Sequence, residues 1–286
     1  MAIRVATIDD VRRAEGIIRQ HISPAPLIRS YPLEKELGLP EGRHVWLKDY
    51  GWTPVGSFKL FGGLNWMANN LELIGDRPVA AHSSGNFASG ISFAGMRYGK
   101  RVLIVMPDSA PQVKFALTRS FGAEIRTYDI ATDHQTGERD RLTREIAEEE
   151  GAIQASPYDD SDVIAGNGVG GLEIVDELKG QGRDVSHFLC QVSGGGLMAG
   201  HALAGRGERF PPVSRCGRTG ADRKAGEHLR RSAFVRCWGA QLADSAAVCS
   251  RIRERAGRGY TAGDEVDVSD ARTAHRAVRS YRPCGS

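Results

Sequence analysis

The chain has 286 residues, a formal net charge of +3, and ordinary proportions of apolar (41%) and charged (26%) residues. This length can bury a large core in one domain or in two smaller ones. The small net charge gives no support for a nucleic-acid partner. The longest apolar runs, such as Val102–Met106, are far too short to span a bilayer, so no membrane partner is expected.

The first residues contain no apolar segment of the kind that directs secretion. The five cysteines are irregularly spaced and include no C-x-x-C pair. Neither a disulfide framework nor a zinc site is therefore expected. The sequence predicts a cytoplasmic protein with reduced thiols.

The predicted elements begin with a helix capped by Thr7 or Asp9. Three prolines at 24, 26 and 32 then indicate an extended passage. From residue 44 onward, short β-rich runs alternate with helical patterns, which predicts an α/β fold with helices flanking a mostly parallel sheet. The predicted strands are Val45–Leu47, Val79–Ala81, Val102–Met106, Glu124–Tyr128 and His187–Val192, and the predicted helices lie near 57–70, 86–99, 111–121, 135–150 and 161–179.

The chain changes character after about residue 205. Residues 206–258 contain twelve arginines and three of the five cysteines, with no clear strand before Ala233–Val235. Such a shift in composition indicates a loop-rich or disordered insertion. A segment translated out of its ancestral reading frame would give the same pattern.

The first segment with chemical potential is Thr53–Lys59. Gly56 permits a tight turn, Ser57 is a suitable helix cap, and Lys59 follows in the first helical turn. A lysine at this end of a helix opposes the helix dipole, which favours its neutral, nucleophilic amine. The alternative is a solvated surface lysine.

Two further segments lie between a predicted strand and a predicted helix. His82–Ala88 carries hydroxyls, an amide and backbone N–H groups at a helix start, which suit a carboxylate. Val192–Leu197 carries three consecutive glycines that can surround a phosphate, although it matches neither the P-loop nor the complete dinucleotide pattern. An ordinary turn is the alternative for both segments.

A fourth segment, Ser156–Asp160 followed by Val163–Gly168, has no direct chemistry and is interpreted as a loop entering a helix with close glycine packing. The order and spacing of all four segments resemble the fold-type II pyridoxal-phosphate enzymes, in the branch of threonine and serine dehydratases and serine racemases. The resemblance covers residues 7–205. It also includes Ser23–Ser30, Leu47–Asp49, Val105–Pro107, Ala110–Pro111, Lys114 and Phe121–Glu124.

The resemblance assigns roles to individual residues. The resemblance implies that Lys59 forms the Schiff base with pyridoxal 5'-phosphate and removes the substrate Cα proton. The phosphate loop is Ser193, Gly194, Gly195, Gly196 and Leu197; Asn86 bonds the cofactor's 3-hydroxyl; and Ser83, Ser84 and Asn86 bind the substrate carboxylate. Ser84 also falls where racemases of the family keep a second acid/base. No metal ligand is carried over, because the metal-binding acids of some relatives fall in the altered stretch after residue 205.

The resemblance implies an ammonia-lyase that converts a hydroxy-amino acid such as threonine or serine to a 2-oxo acid and ammonia by α,β-elimination. The alternatives are a racemase or β-replacement enzyme of the same fold, or a degraded, non-catalytic paralogue. A nucleotide-binding protein could also use Gly194–Gly196, but would leave Ser57–Lys59 unexplained. Phe87 stands where the dehydratases often have histidine, which leaves the identity of the amino acid open. A small-molecule amino-acid substrate and a second copy in a homodimer are the implied partners.

The implied architecture is the two-domain tryptophan-synthase-beta-like fold, with parallel-rich sheets flanked by helices. Residues 1–80 and 154–286 would form the large cofactor domain and residues 81–153 the small domain. Within the large domain, residues 206–262 are atypical, and the chain ends at Ser286 before the final strands that the family pattern predicts. Cys284 faintly matches the family's partner for the pyridine nitrogen. We hypothesise that 206–262 is frame-shifted or heavily diverged and that the product folds poorly.

Overall fold

The computed structural model describes residues 5–157, 159–191, 195–206, 213–215 and 236–238. Its elements in chain order are α1 (Ile8–Ile18), β1 (Leu27–Arg29), α2 (Tyr31–Leu37), β2 (Trp46–Lys48), α3 (Lys59–Asn69), α4 (Leu71–Ile74), β3 (Val79–His82), α5 (Asn86–Tyr98), β4 (Val102–Pro107), α6 (Gln112–Ser120), β5 (Glu124–Tyr128), α7 (Ile130–Thr136), α8 (Glu138–Glu149), β6 (Ile153–Gln154), α9 (Ser161–Gly180), α10 (Gly196–Arg206), β7 (Val213–Arg215) and β8 (Arg236–Trp238). A single 3-10 turn spans Tyr50–Trp52. No helix within these ranges is long and apolar enough to cross a membrane.

The described residues divide into two compact units. The first contains the chain up to Ala25, Trp52–Glu173 and the segment from Gly195. The second contains Pro26–Gly51, the residues from Ile174 to 191, and the strands β7 and β8. The division into a large domain and a small domain at 81–153 stays a prediction.

A parallel sheet with the strand order β5-β4-β3-β6 organises the first unit. All six residues of β4 are buried. Such a strand has no polar face, which is why its sequence shows a continuous apolar run rather than alternation. The sheet and its flanking helices confirm the predicted α/β class.

Helix α1 begins where the sequence predicts. The Thr7 hydroxyl accepts a hydrogen bond from the Asp10 backbone N–H, and the Asp10 carboxylate accepts one from the Thr7 N–H. This reciprocal pair satisfies two donors that a helix start otherwise leaves without partners. The helix buries Val11, Ala14 and Ile18 on one face.

Glycines bring the helices of the first unit into close contact. A Cβ on Gly63 of α3 would lie 2.9 Å from the Gly90 carbonyl oxygen of α5. A Cβ on Gly166 of α9 would lie 2.4 Å from the Phe61 carbonyl oxygen of α3, and one on Gly200 of α10 would lie 2.4 Å from a carbonyl oxygen of α9. The close glycine packing predicted around 163–168 is confirmed. Helix α9 thus links α3 to α10.

In the second unit, β1 and β2 form an antiparallel pair. The Glu34 carboxylate of α2 accepts hydrogen bonds from the Arg29 guanidinium of β1 at 2.9 Å and from the N–H of Val45, the residue before β2, at 3.0 Å. The guanidinium lowers the pKa of Glu34 to about 2. Strands β7 and β8 form a second antiparallel pair.

Three expectations about local structure are wrong. Residues 187–191 form no strand, because none of the described strands pairs with them. Tyr31–Leu37 is a helix rather than an extended passage, since Pro32 lies in its first turn, where a missing N–H costs nothing. Strand β7 lies in the stretch where no strand was expected before Ala233; its pairing with β8 uses backbone groups and needs no apolar pattern.

Candidate active site

Lys59 is the first residue of α3, and it is half-buried. Its Nζ donates a 2.6 Å hydrogen bond to the carbonyl oxygen of Pro157. Burial lowers the pKa of the Lys59 amine from its ordinary value of 10.5 to about 8, because an apolar environment disfavours the charged form. The Lys59 amine therefore loses its proton at a lower pH than an ordinary lysine amine does.

Two aromatic rings flank this amine. The Lys59 Nζ lies 5.5 Å from the ring centroid of Phe58 and 5.7 Å from that of Phe87. Phe87 is only 1% exposed, so its ring excludes water from one side of the amine. Phe87, the residue that departs from the dehydratase pattern, therefore lies close to the amine of Lys59.

The turn before α3 differs from its prediction in one respect. Gly56 has a φ of 67°, as a tight turn requires, but the helix cap is Phe58, and Ser57 makes no capping hydrogen bond. The Thr53 hydroxyl instead holds the turn, since it accepts from the Ser57 N–H at 2.9 Å and donates to the Ser57 carbonyl at 3.0 Å. The Ser57 hydroxyl is directed inward; the residue is 5% exposed, and its Oγ has no hydrogen-bond partner.

The loop from Ser83 to Asn86 connects β3 to α5. The Ser83 N–H donates to the Val105 carbonyl at 3.0 Å, and the Ser83 hydroxyl accepts from the Gly85 N–H at 3.2 Å. Ser84 is exposed, whereas Ser83 and Asn86 are half-buried. Asn86 is the first residue of α5, so the loop lies at the positive end of the helix dipole, which favours an anion.

The loop that carries Pro157 is fixed to α3. Asp160 accepts hydrogen bonds from the Trp66 indole N–H at 3.2 Å and from the Asp162 N–H at 2.7 Å. The Asn65 amide donates to the Asp162 carbonyl at 2.7 Å. These bonds hold the loop along α3 and so keep the Pro157 carbonyl beside Lys59.

Sequence reasoning missed this use of the Ser156–Asp160 segment. Its one local signal is Pro157 itself, since proline has no N–H and offers only its carbonyl as a backbone polar group. Sequence reasoning also gave Lys114 no role beyond the resemblance. Lys114 donates a hydrogen bond from Nζ to the Asn86 Oδ1. The signal there was a lysine in the first turn of a helix, as at Lys59.

The glycine loop is described in part. Gly195 has a φ of 88°, and its carbonyl accepts from the Ala199 N–H at 2.9 Å, so α10 starts directly after it. Gly196 begins α10, and the Leu197 side chain is buried. The N–H groups of this first turn have no acceptor within the helix, so they can donate to an anion. Ser193 and Gly194 lie outside the described residues, as does Cys284. Within the described ranges, no group of three or more His, Cys, Asp or Glu side chains could hold a metal ion.

The chain is similar to several known proteins. Residues 18–281 match the model of the family described as pyridoxal-phosphate dependent enzyme. The chain is 33% identical over 202 residues to the L-threo-3-hydroxyaspartate ammonia-lyase of Saccharomyces cerevisiae, covering 71% of this chain and 58% of that protein. It is 33% identical over 203 residues to the L-threonine ammonia-lyase of Geobacter sulfurreducens, covering 71% of this chain and 47% of that protein.

Among solved structures, a pyridoxal 5'-phosphate-dependent aspartate racemase superposes with a TM-score of 0.64 at 30% sequence identity. The match covers 73% of this chain and 61% of the racemase. The chain therefore spans about half to two thirds of the length of these relatives. Both lyases and racemases are among the proteins it resembles.

Proposed function

The chain belongs to the pyridoxal-phosphate-dependent enzyme family, and on that premise we propose that it is an ammonia-lyase that converts a hydroxy-amino acid such as threonine or serine to a 2-oxo acid and ammonia. One observation carries the proposal: the Lys59 amine lies 5.7 Å from the ring of Phe87, the residue that follows the loop Ser83–Asn86, and its pKa is lowered to about 8. An amine of this kind is a nucleophile and a base near neutral pH.

The residues present fit pyridoxal phosphate. An aldehyde requires an uncharged primary amine, and burial lowers the pKa of the Lys59 amine to about 8. The Ser57 hydroxyl, two residues earlier, is buried without a hydrogen-bond partner and can donate to a ligand. Gly195, with its left-handed backbone, directly precedes α10, and backbone N–H groups at a helix start can donate to a phosphate. Lys59, Asn86 and the glycine loop of 193–197 would hold the cofactor.

The chain's own side chains would divide the remaining work. Pyridoxal phosphate, when bound, supplies the electron sink that stabilises a carbanion at the substrate Cα. Lys59 would take the Cα proton, since its pKa of about 8 suits a base near neutrality. Elimination then removes the β-hydroxyl as water, and hydrolysis of the remaining amino group releases ammonia.

The loop Ser83–Asn86 would bind the substrate carboxylate. Its hydroxyls and the N–H groups at the start of α5 donate hydrogen bonds, and the helix dipole adds a favourable field. The Ser83 hydroxyl already accepts from the Gly85 N–H, so its own hydrogen remains available for donation to a carboxylate. Holding the carboxylate fixes the Cα relative to the Lys59 amine.

A racemase is the second candidate, favoured by the exposed hydroxyl of Ser84 in this loop. A second acid/base there would return the proton to the face of Cα opposite Lys59. The superposition on an aspartate racemase supports this candidate too. A β-replacement enzyme and a degraded, non-catalytic paralogue are the remaining alternatives.

A cytoplasmic location and a homodimer are part of the same proposal. The test is to purify the chain, add pyridoxal phosphate, and assay oxo-acid release from L-threonine, L-serine and 3-hydroxyaspartate. Oxo-acid release supports the lyase. Inversion of the amino acid without oxo acid supports the racemase, and cofactor binding without either product supports the non-catalytic paralogue.

A further inference from the structure

Lys114 and Asn86 join two helices beside the candidate carboxylate loop. Lys114 lies in the first turn of α6, and Asn86 is the first residue of α5. The Lys114 Nζ donates a hydrogen bond to the Asn86 Oδ1. Both side chains are half-buried, so solvent competes for this bond less than it would at an exposed site.

The packing of α5 on α6 keeps these two residues together. Phe93 of α5 and Phe121 at the end of α6 contact each other edge to face, with ring centroids 5.3 Å apart. This geometry is a favourable one for an aromatic pair. The bond between Lys114 and Asn86 therefore joins two helices that are already held by their apolar faces.

The chemistry of a lysine decides which way the Asn86 amide is turned. An ammonium group has only donors, so the atom of the amide that faces Lys114 must be the oxygen. The amide NH₂ group is then directed to the other side. Without such a neighbour, the two orientations of an asparagine amide differ little in energy, because oxygen and nitrogen have nearly the same size and shape.

The lysine also lies along the loop itself. A Cβ on Gly85 would lie 3.9 Å from the Lys114 Cε. The positive charge of Lys114 is thus close to the turn between Ser83 and Asn86 and adds to the field at the start of α5. An anionic oxygen bound at the start of α5 would interact with both the Asn86 amide and the Lys114 ammonium group.

We propose that Lys114 is a positioning residue. It holds the Asn86 amide with its NH₂ group toward the oxygen of the bound cofactor's 3-hydroxyl group. The inference rests on the proposed function in taking pyridoxal phosphate as the ligand. The amide then donates to that oxygen in its anionic form, and the lysine charge stabilises the anion further.

The test uses the cofactor-loaded full-length chain and three variants. Lys114→Met removes the charge and the donors, Lys114→Arg keeps both, and Lys100→Met makes the same change at a lysine that bonds the Gly75 carbonyl, away from the loop. The readouts are the dissociation constant for pyridoxal phosphate and the pH midpoint of the visible absorbance of the bound cofactor.

We expect Lys114→Met to weaken cofactor binding about 10-fold and to raise the pH midpoint by on the order of one unit, because loss of a donor and of a positive charge both favour the protonated cofactor. Lys114→Arg and Lys100→Met should keep the native midpoint. A role limited to structure would change stability but leave the midpoint in place.

If Asn86→Leu changes the midpoint and the affinity but Lys114→Met leaves both unchanged, the inference about Lys114 is wrong and the proposed function still stands. A native chain that binds no pyridoxal phosphate would overturn the proposed function, and the inference with it. If Lys114→Met does not fold, Lys114→Gln replaces it, with the same expected rise in midpoint and the same overturning result.

Discussion

Gly90 of α5 faces the backbone of Lys59 so closely that a Cβ at position 90 would lie 2.8 Å from the Lys59 carbonyl oxygen. Side chains do not normally approach a backbone oxygen at that distance. The two helices can cross there only because residue 90 is a glycine. The lysine of the candidate site is therefore placed by a glycine on the helix that carries Asn86 and Phe87.

The first prediction concerns this crossing. Gly90→Ala should lower the free energy of unfolding by about 1–3 kcal/mol, because the added methyl group must push α5 and α3 apart. Urea unfolding of the cofactor-free protein measures the change. Gly16→Ala is the matched control, because position 16 lies inside α1 with nothing within 4 Å of the added methyl group. There we expect the free energy of unfolding to rise by roughly 0.5–1 kcal/mol. A Gly90→Ala variant as stable as the native chain would show that the crossing of α3 and α5 does not require a glycine at position 90.

The second prediction concerns pH. Burial lowers the pKa of Lys59 to about 8 in the folded state, against 10.5 for an ordinary lysine, so between these values the unfolded chain binds more protons. Stability of the cofactor-free protein should therefore rise with pH over this window, by up to about 1.4 kcal/mol per unit from this residue. Below pH 8 the lysine is charged in both states and contributes no slope.

Lys59→Met isolates this contribution from the other groups that titrate in the same range. Urea unfolding at several pH values should give a smaller slope for the variant than for the native chain. Equal slopes would show that Lys59 keeps an ordinary pKa in the folded protein.

Much of this arrangement was predictable from local sequence. The apolar run of β4 and the capping pattern at Thr7 each determine their own structure, and both are confirmed. The turn at Gly56 also follows from its residue type. The segment His187–Gln191 could not be judged in this way, because a strand depends on a partner from elsewhere in the chain.

The contacts of the site depend on tertiary structure, so the types of residue at Pro157 and Lys114 do not identify their partners. The Pro157 carbonyl reaches Lys59 only because Asp160 ties its loop to α3. Lys114 of α6 bonds Asn86 of α5, although the two residues are 28 positions apart in the chain. The roles of Lys59, Ser83, Ser84, Asn86 and the 193–197 loop stay predictions.

The third prediction concerns Phe87. Phe87→Thr should admit water near the Lys59 amine and raise its pKa toward the ordinary value, because burial is the cause of the shift. The measurement is the rate at which the cofactor-free protein captures pyridoxal phosphate, followed by absorbance across pH. Its midpoint should move to higher pH in Phe87→Thr. Phe87→Leu keeps an apolar side chain and should stay near the native midpoint; a midpoint common to all three proteins would contradict the role given to the ring.

The fourth prediction separates the two candidate reactions at Ser84. If Ser84 is the second acid/base, Ser84→Ala should reduce racemisation by about 100-fold or more, while elimination, which needs only Lys59 as base, should fall far less. Chiral analysis of the amino acid and an oxo-acid assay on the same reaction measure both rates. Ser120→Ala serves as the control, because the Ser120 hydroxyl in α6 donates a hydrogen bond to the Leu117 carbonyl of the same helix. Equal losses of both activities would mean that Ser84 acts in substrate binding alone.

Lys59 is the residue that we propose carries the cofactor. The most direct test is to add pyridoxal phosphate to the full-length chain, reduce with borohydride, digest, and locate the modified lysine by mass spectrometry. We expect a visible absorbance band before reduction and a single dominant label on Lys59, with neither in Lys59→Ala. A label spread over surface lysines, or a dominant label on any other lysine, would contradict it.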